Sequence, residues 1–350
     1  MTDDAPTMQV TMLGGSGSGK TTYLIGMYAH LSAGLANFFL HADDRGVDLD
    51  LSAAWSGMIE DGLLPQPTTE ENGYRTFDFT FRYGLDPLLR LNWVDYRGGA
   101  LRDRAADKQD VSQLLARLSE SDSLYVTLDG GLLADVLAER PMAERQLRDT
   151  IGRYSRTIGE IRDERNKRNL VMPSVVVLVT KADLLRPLLP GTPEQRRERL
   201  RSWAVDLLGQ VFSQGWDSAV CLASIGAIGR PSTSHVNPED VNPVGVHKPM
   251  VFSLYSYYRR AAVVFSSEAQ EAENALTQGR LQQQQLQRTV VTRLLSRKER
   301  AQLVDQLGDL HAYHGAMRQL AELCRYRSEG LADELIETPM HLDGRWTGTA

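Results

Sequence analysis

Apolar and polar positions divide the chain into two regimes. Up to about residue 224, short apolar β-branched runs alternate with segments whose apolar positions recur every three or four residues. That is the pattern of strands alternating with helices. Met8 to Leu13 reads as a short buried strand, and a helical pattern runs from Lys20 to about Leu35. Residues 36–73 are less regular, with a short helix expected around Leu51–Ile59 and a loop through "LPQPTTEENG". In "RTFDFTFRY", Phe77, Phe79 and Phe81 share one face, so this segment and residues 88–95 make an antiparallel hairpin.

Further along, residues 101–118 carry a helical pattern, "SLYVTLDGG" a strand, and 141–165 a polar helix with Leu147, Ile151, Tyr154, Ile158 and Ile161 inward. "SVVVLVTKAD" begins with a continuous β-branched run, expected to be buried on both faces. Thr192, Pro193 and Gln195 supply an N-cap, a first-turn proline and a capping-box partner for a helix bearing Leu200, Trp203, Leu207 and Val211. "SAVCLAS" is the last expected strand. The fold class is therefore α/β, a mostly parallel six-stranded sheet with helices on both faces.

Residues 225–250 hold Pro231, Pro238, Pro243 and Pro249 and read as a long loop. From 253 to 337 only helical signals follow, with a second capping box at Ser296 to Glu299 marking a break between two helices. In the second, Leu303, Leu307, Leu310, His314, Met317, Ala321, Cys324, Ser328, Leu331 and Leu335 form a coiled-coil-like seam. The expected organisation is thus an α/β domain over 1–252, a helical hairpin over 253–338 and an irregular tail over 339–350. His311 and His314 lie one turn apart without a third ligand nearby, so a hydrogen-bonded seam histidine is the better reading than a metal site.

Composition narrows the class without naming it. The chain has 350 residues, 42% hydrophobic and 24% charged, with a net charge of −6. That balance gives no support for nucleic-acid binding by bulk charge. No apolar run approaches the roughly 18 residues of a transmembrane segment, and the acidic start "MTDDAPTMQV" lacks the order of a secretion signal. Cys221 and Cys324 sit in apolar periodic segments and read as buried free thiols. A cytoplasmic location is expected.

Chemistry enters at "GGSGSGKT", which fits G-x-x-x-x-G-K-[ST] at Gly14, Gly19, Lys20 and Thr21. Through Gly14, Gly15, Ser16, Gly17, Ser18 and Gly19, backbone N–H groups can turn inward around phosphates, and the helix opened by Lys20, Thr21 and Thr22 points its positive end at them. Lys20 supplies an ammonium for the β- and γ-phosphates, and Thr21 a hydroxyl for Mg²⁺. Asp95 ends the strand expected beside the first and can face that ion. Gly98, three residues on, can place its N–H near the γ-phosphate, as in D-x-x-G. The base is chosen by "TKAD": guanine offers two donors that the Asp183 carboxylate can accept together, and adenine cannot satisfy it. Thr180 precedes this pair, the stem of Lys181 can lie along the purine, and Ser224 and Ile225 stand where a small loop would meet the guanine oxygen, with Ile in place of the usual Ala.

At these residues the sequence resembles the TRAFAC class of P-loop GTPases, Ras-like proteins included, over about residues 8–250. "GKTTYLIGMY", the segment near Trp55 and "LLPQPTT" are similar to the GTPase domains of bacterial conflict-type and double-GTPase systems. The resemblance implies a switch threonine at Thr68 or Thr69, with Thr69 favoured, binding Mg²⁺ in the GTP state. It implies a switch that controls partner binding or assembly in a bacterial multi-protein system, defence among the settings. Ras-like proteins carry a water-orienting glutamine where this chain has Gly99, so slow hydrolysis is expected unless Arg97, Arg102, Arg104 or a partner's arginine compensates. The alternative is a mechanochemical or self-assembling NTPase with the hairpin as lever or oligomerisation arm.

Overall fold

The computed structural model describes residues 5–35, 38–65, 74–96, 115–209, 216–229, 235–277 and 310–347. Strand β1 (Thr7–Gly14) leads through the glycine-rich loop into helix α1 (Lys20–Ser32). Strand β2 (Phe38–Ala42) and helix α2 (Arg45–Glu60) follow, then the hairpin of β3 (Tyr74–Tyr83) and β4 (Asp86–Tyr96). A helical stretch at 115–120 precedes β5 (Ser123–Asp129), α3 (Gly130–Leu137), α4 (Pro141–Lys167) and β6 (Ser174–Thr180). The order closes with α5 (Pro193–Leu208), β7 (Ser218–Leu222), β8 (Ser224–Gly226), β9 (Val241–Val244), α6 (Lys248–Thr277), α7 (Leu310–Ala332), β10 (Met340–Leu342) and β11 (Arg345–Trp346).

Among the described residues the main sheet has nine strands, in the order β11-β10-β7-β6-β5-β1-β4-β3-β2. The six expected strands are its centre, with β7-β6-β5-β1-β4 parallel and β3 antiparallel. Alternate residues of each strand feed two cores. Met8, Val10 and Met12 pack with α1, α2, α6 and α7, whereas Leu13, Val126 and Val177 pack with α3, α4 and α5. Every residue of β6 is buried, as its β-branched run requires. The capping box at Thr192 and Gln195 forms with both bonds present. Within α7, Met317, Ala321, Cys324, Ser328 and Leu331 are buried, which fits the seam spacing. Leu303, Leu307 and the Ser296 capping box lie outside the described residues.

Three expectations need correction. Within the span 36–73, residues 38–60 are regular: β2 adds to the sheet edge, and α2 spans 16 residues, its N-terminus closed by Asp44, which accepts from the Val47 N–H. The described part of the proline-rich 225–250 stretch, residues 225–229 and 235–250, is more ordered than a loop. β8 and β9 pair, Pro238 opens a 3-10 turn, and Pro249 sits in the first turn of α6, where its missing N–H costs nothing. The tail is not irregular either. β10 extends the sheet antiparallel to β7, and Asp343-Gly344 turn the chain into β11 with φ of 51° and 78°, the pairing of left-handed residues that a tight hairpin demands. Cys221 and Cys324 are buried and joined in no disulfide. No helix among the described residues is long and apolar enough to cross a membrane.

Candidate nucleotide site

The glycine-rich loop has the conformation that its glycines permit. Gly17 and Gly19 have φ of 72° and 79°, left-handed values that a Cβ disfavours. A Cβ on Gly14 would lie within 3 Å of Ser18 Oγ, Lys20 Cδ and Thr127 Cβ. Ser16 and Gly17 are exposed at the crest, and Ser18 and Lys20 are buried. The Lys20 ammonium folds back onto its own loop, donating to the carbonyls of Gly14 at 3.0 Å and Gly15 at 3.2 Å. Burial lowers its pKa, and the nearby Asp95 carboxylate opposes that shift.

Asp95, 3% exposed, is the penultimate residue of β4, with its Cα paired to Met12 of β1. The strand order thus brings it beside the loop, while Thr21 and Thr22, half-buried, open α1 from the other side. A buried carboxylate and a hydroxyl are hard oxygen donors suited to Mg²⁺, so the residues present fit that ion. Thr68, Thr69, Arg97, Gly98, Gly99, Arg102 and Arg104 lie outside the described residues.

The residues expected to read the base gather from three elements. Thr180 ends β6, and its hydroxyl donates to the Ser18 carbonyl at 2.6 Å and to that of Leu128 at 3.2 Å. Lys181 Nζ reaches the Gly17 carbonyl at the loop crest, 2.8 Å away. Asp183, in a 3-10 turn, accepts from the Gly229 N–H at 2.9 Å. These residues line one cavity with Gly19, Thr22 and Ser224. Ile225 also lines it, and its side chain packs so tightly on α1 that any Cβ at Gly26 would collide with it. The larger residue in this loop is thus matched by a glycine on the facing helix.

Sequence reasoning missed Leu64, Ile228 and Gly229, which complete the cavity wall, and Asp129, whose carboxylate holds Lys181. Leu64 and Ile228 carried no motif. Asp129 did carry a signal, since "LDGG" repeats at β5 the strand-acid-glycine order of Asp95.

A parallel sheet whose first strand feeds a phosphate loop, with an acid ending the neighbouring strand and T-K-x-D after β6, defines a TRAFAC-type P-loop GTPase domain. Residues 9–215 match the model of the Double-GTPase 2 family, and the chain belongs to that family. No curated protein sequence matches it. Among solved structures, the signal recognition particle receptor SRb-GTP/SRX complex from Chaetomium thermophilum is similar at 14% identity and a TM-score of 0.35, over 65% of this chain and 94% of that one. The G domain of the T. maritima FeoB iron transporter is similar at 11% identity and a TM-score of 0.27, over 62% and 87%.

Proposed function

We propose that this chain is a guanine-nucleotide switch that converts GTP and water to GDP and phosphate slowly, with Mg²⁺. The reading is carried by one observation: Lys181 and Asp183 line a single cavity with Gly19 and Thr22 of the phosphate loop and its helix. In this reading the loop from Gly14 to Gly19 and the Thr22 end of α1 cradle the phosphates through backbone N–H groups. Lys20 exchanges its two carbonyl partners for phosphate oxygens. Thr21, Asp95 and Thr69 would hold Mg²⁺, which would supply positive charge to offset the negative charge of the phosphates during hydrolysis. Asp183 gives up Gly229 for the guanine edge, and Ser224 and Ile225 close over its oxygen. Gly98 senses the γ-phosphate, and Arg97 or a partner's arginine offsets the missing side chain at Gly99.

The GTP state orders residues around 66–73 and 95–104 and so creates or removes a surface for a protein partner or a second copy. The domain of residues 1–252 carries this cycle, and the helices of 253–338 read it or assemble on it. The setting is a bacterial multi-protein system in the cytoplasm.

Nucleotide competition tests the reading. Guanine nucleotides should displace a fluorescent GDP analogue, and adenine nucleotides should not. Asp183→Ala should erase a preference that can reach about 10⁴-fold. Equal competition by ATP sinks the guanine assignment. Unassisted single-turnover hydrolysis should be far below about 1 s⁻¹, and partner binding or oligomeric mass should differ between GDP and a non-hydrolysable GTP analogue. Fast hydrolysis driven by self-association would instead favour the mechanochemical alternative.

A further inference from the structure

Lys181 needs support that its own motif does not provide. Its φ of 50° and ψ of 39° are left-handed, a conformation disfavoured for a residue with a Cβ, so surrounding contacts must impose it. Several do. The Ala182 N–H donates to the Ala223 carbonyl at 3.2 Å. Gly130 lies so close to the carbonyl oxygens of Thr180 and Lys181 that a Cβ there would collide with both. The Lys181 ammonium is gripped twice, by the Gly17 carbonyl and by Asp129 Oδ2, each at 2.8 Å.

Asp129 divides its two oxygens between two tasks. Oδ1 accepts from the Gly131 N–H at 2.8 Å and closes the N-terminus of α3. Oδ2 takes the lysine. Asp129 is also the β-ladder partner of Thr180, so the strand register sets this acid beside the residue that precedes the lysine. We propose that Asp129 is a positioning residue for base recognition. It pins the Lys181 ammonium over the crest of the phosphate loop, so that the lysine's stem lies along the wall of the cavity that Asp183 edges.

A neutral carbonyl alone holds an ammonium more weakly than a carboxylate does. Without Asp129 the flexible lysine can swing out, taking one wall of the cavity with it. The pair is 38% and 28% exposed, and pairs so exposed add little to folding stability. Its consequence is therefore orientation, visible in nucleotide release rather than in the melting temperature. The inference rests on the cavity being the guanine site.

The test uses the full chain and a fluorescent GDP analogue. Asp129→Asn keeps an oxygen for Gly131 but replaces the other with an amide NH₂, which cannot accept from an ammonium. It should release GDP about tenfold faster and narrow the guanine-over-adenine preference, with the nucleotide-free melting temperature near that of wild type. In a Lys181→Met background the same change should add nothing. Unchanged release in Asp129→Asn, or an equal acceleration in the Lys181→Met background, overturns the inference and leaves the guanine reading intact. A wild-type protein with no guanine preference overturns both.

Discussion

Thr180 donates its hydroxyl to the Ser18 carbonyl at 2.6 Å, joining two segments 162 positions apart in the sequence. This bond ties the strand that leads into T-K-x-D to the glycine-rich loop. Thr180→Val keeps the shape but deletes the donor to the Ser18 carbonyl, the nearer of its two acceptors. The expected cost is about 1–3 kcal/mol in stability. Melting curves with and without GDP check it: the baseline should fall, and the stabilisation that GDP confers should shrink. An unchanged GDP-induced shift would show that the loop is placed by other contacts.

Lys20 exemplifies a site that gives up stability for function. Burial lowers its folded pKa below the ordinary lysine value of 10.5. Below that lowered pKa the ammonium is charged in both states, and its burial cost is felt in full. As pH rises toward 10.5 the folded protein releases the proton first, so stability recovers there. Lys20→Met should therefore leave the nucleotide-free protein melting no lower than wild type and remove the alkaline recovery. It should also abolish stabilisation by GTP. A strongly destabilised Lys20→Met protein would mean that the attraction to Asp95 outweighs burial.

The C-terminal tail is held by a charge cluster at the other side of the fold. Asp217, 5% exposed, accepts from Arg259 and from Ser256 Oγ, and Arg259 also donates to Asp343 at 2.6 Å. Asp343 sits in the β10–β11 turn and is 77% exposed. Breaking a buried pair costs about 3–5 kcal/mol, whereas an exposed one contributes about 0–1 kcal/mol. Asp217→Asn should thus destabilise far more than Asp343→Asn. Chemical denaturation of both variants decides this, and equal effects would place the strength of the cluster in the turn.

What the sequence disclosed followed from strong, local signals. The β6 run is buried because no face of it is polar, and the motifs around Lys20 and Asp183 fix backbone shapes that few residues allow. What escaped was short or tertiary. β2 has five residues at a sheet edge, and β10 and β11 have three and two, too few for a period to register. The Asp343-Gly344 turn was a legible hairpin signal, hidden because its strands gain their partner from β7, over a hundred residues earlier. Pro238 and Pro249 read as loop because a proline marks a helix start and a break with the same letter. In the site, Asp183's interim partner Gly229 and the packing of Ile225 on Gly26 depend on how distant elements meet, which no spacing rule contains.

His247 should make the join between the α/β core and the C-terminal helices sensitive to acid. Its ring stacks on His30 of α1 at 5.5 Å and lies 3.6 Å from Glu334, just beyond α7. Burial, with His30 and Lys248 adding repulsion, pushes its pKa down from 6.5 to about 4. Below about pH 6.5 the unfolded chain binds a proton that the folded one refuses, so stability falls with pH until about 4 and then levels. At about 1.36 kcal/mol per pH unit, close to 2 kcal/mol is lost by about pH 5. His247→Gln cannot titrate, so its stability should fall less between pH 7 and 5, with the two proteins compared by urea denaturation at each pH. Parallel curves would mean that the ring keeps its ordinary affinity for a proton and that the Glu334 contact, not burial, governs it.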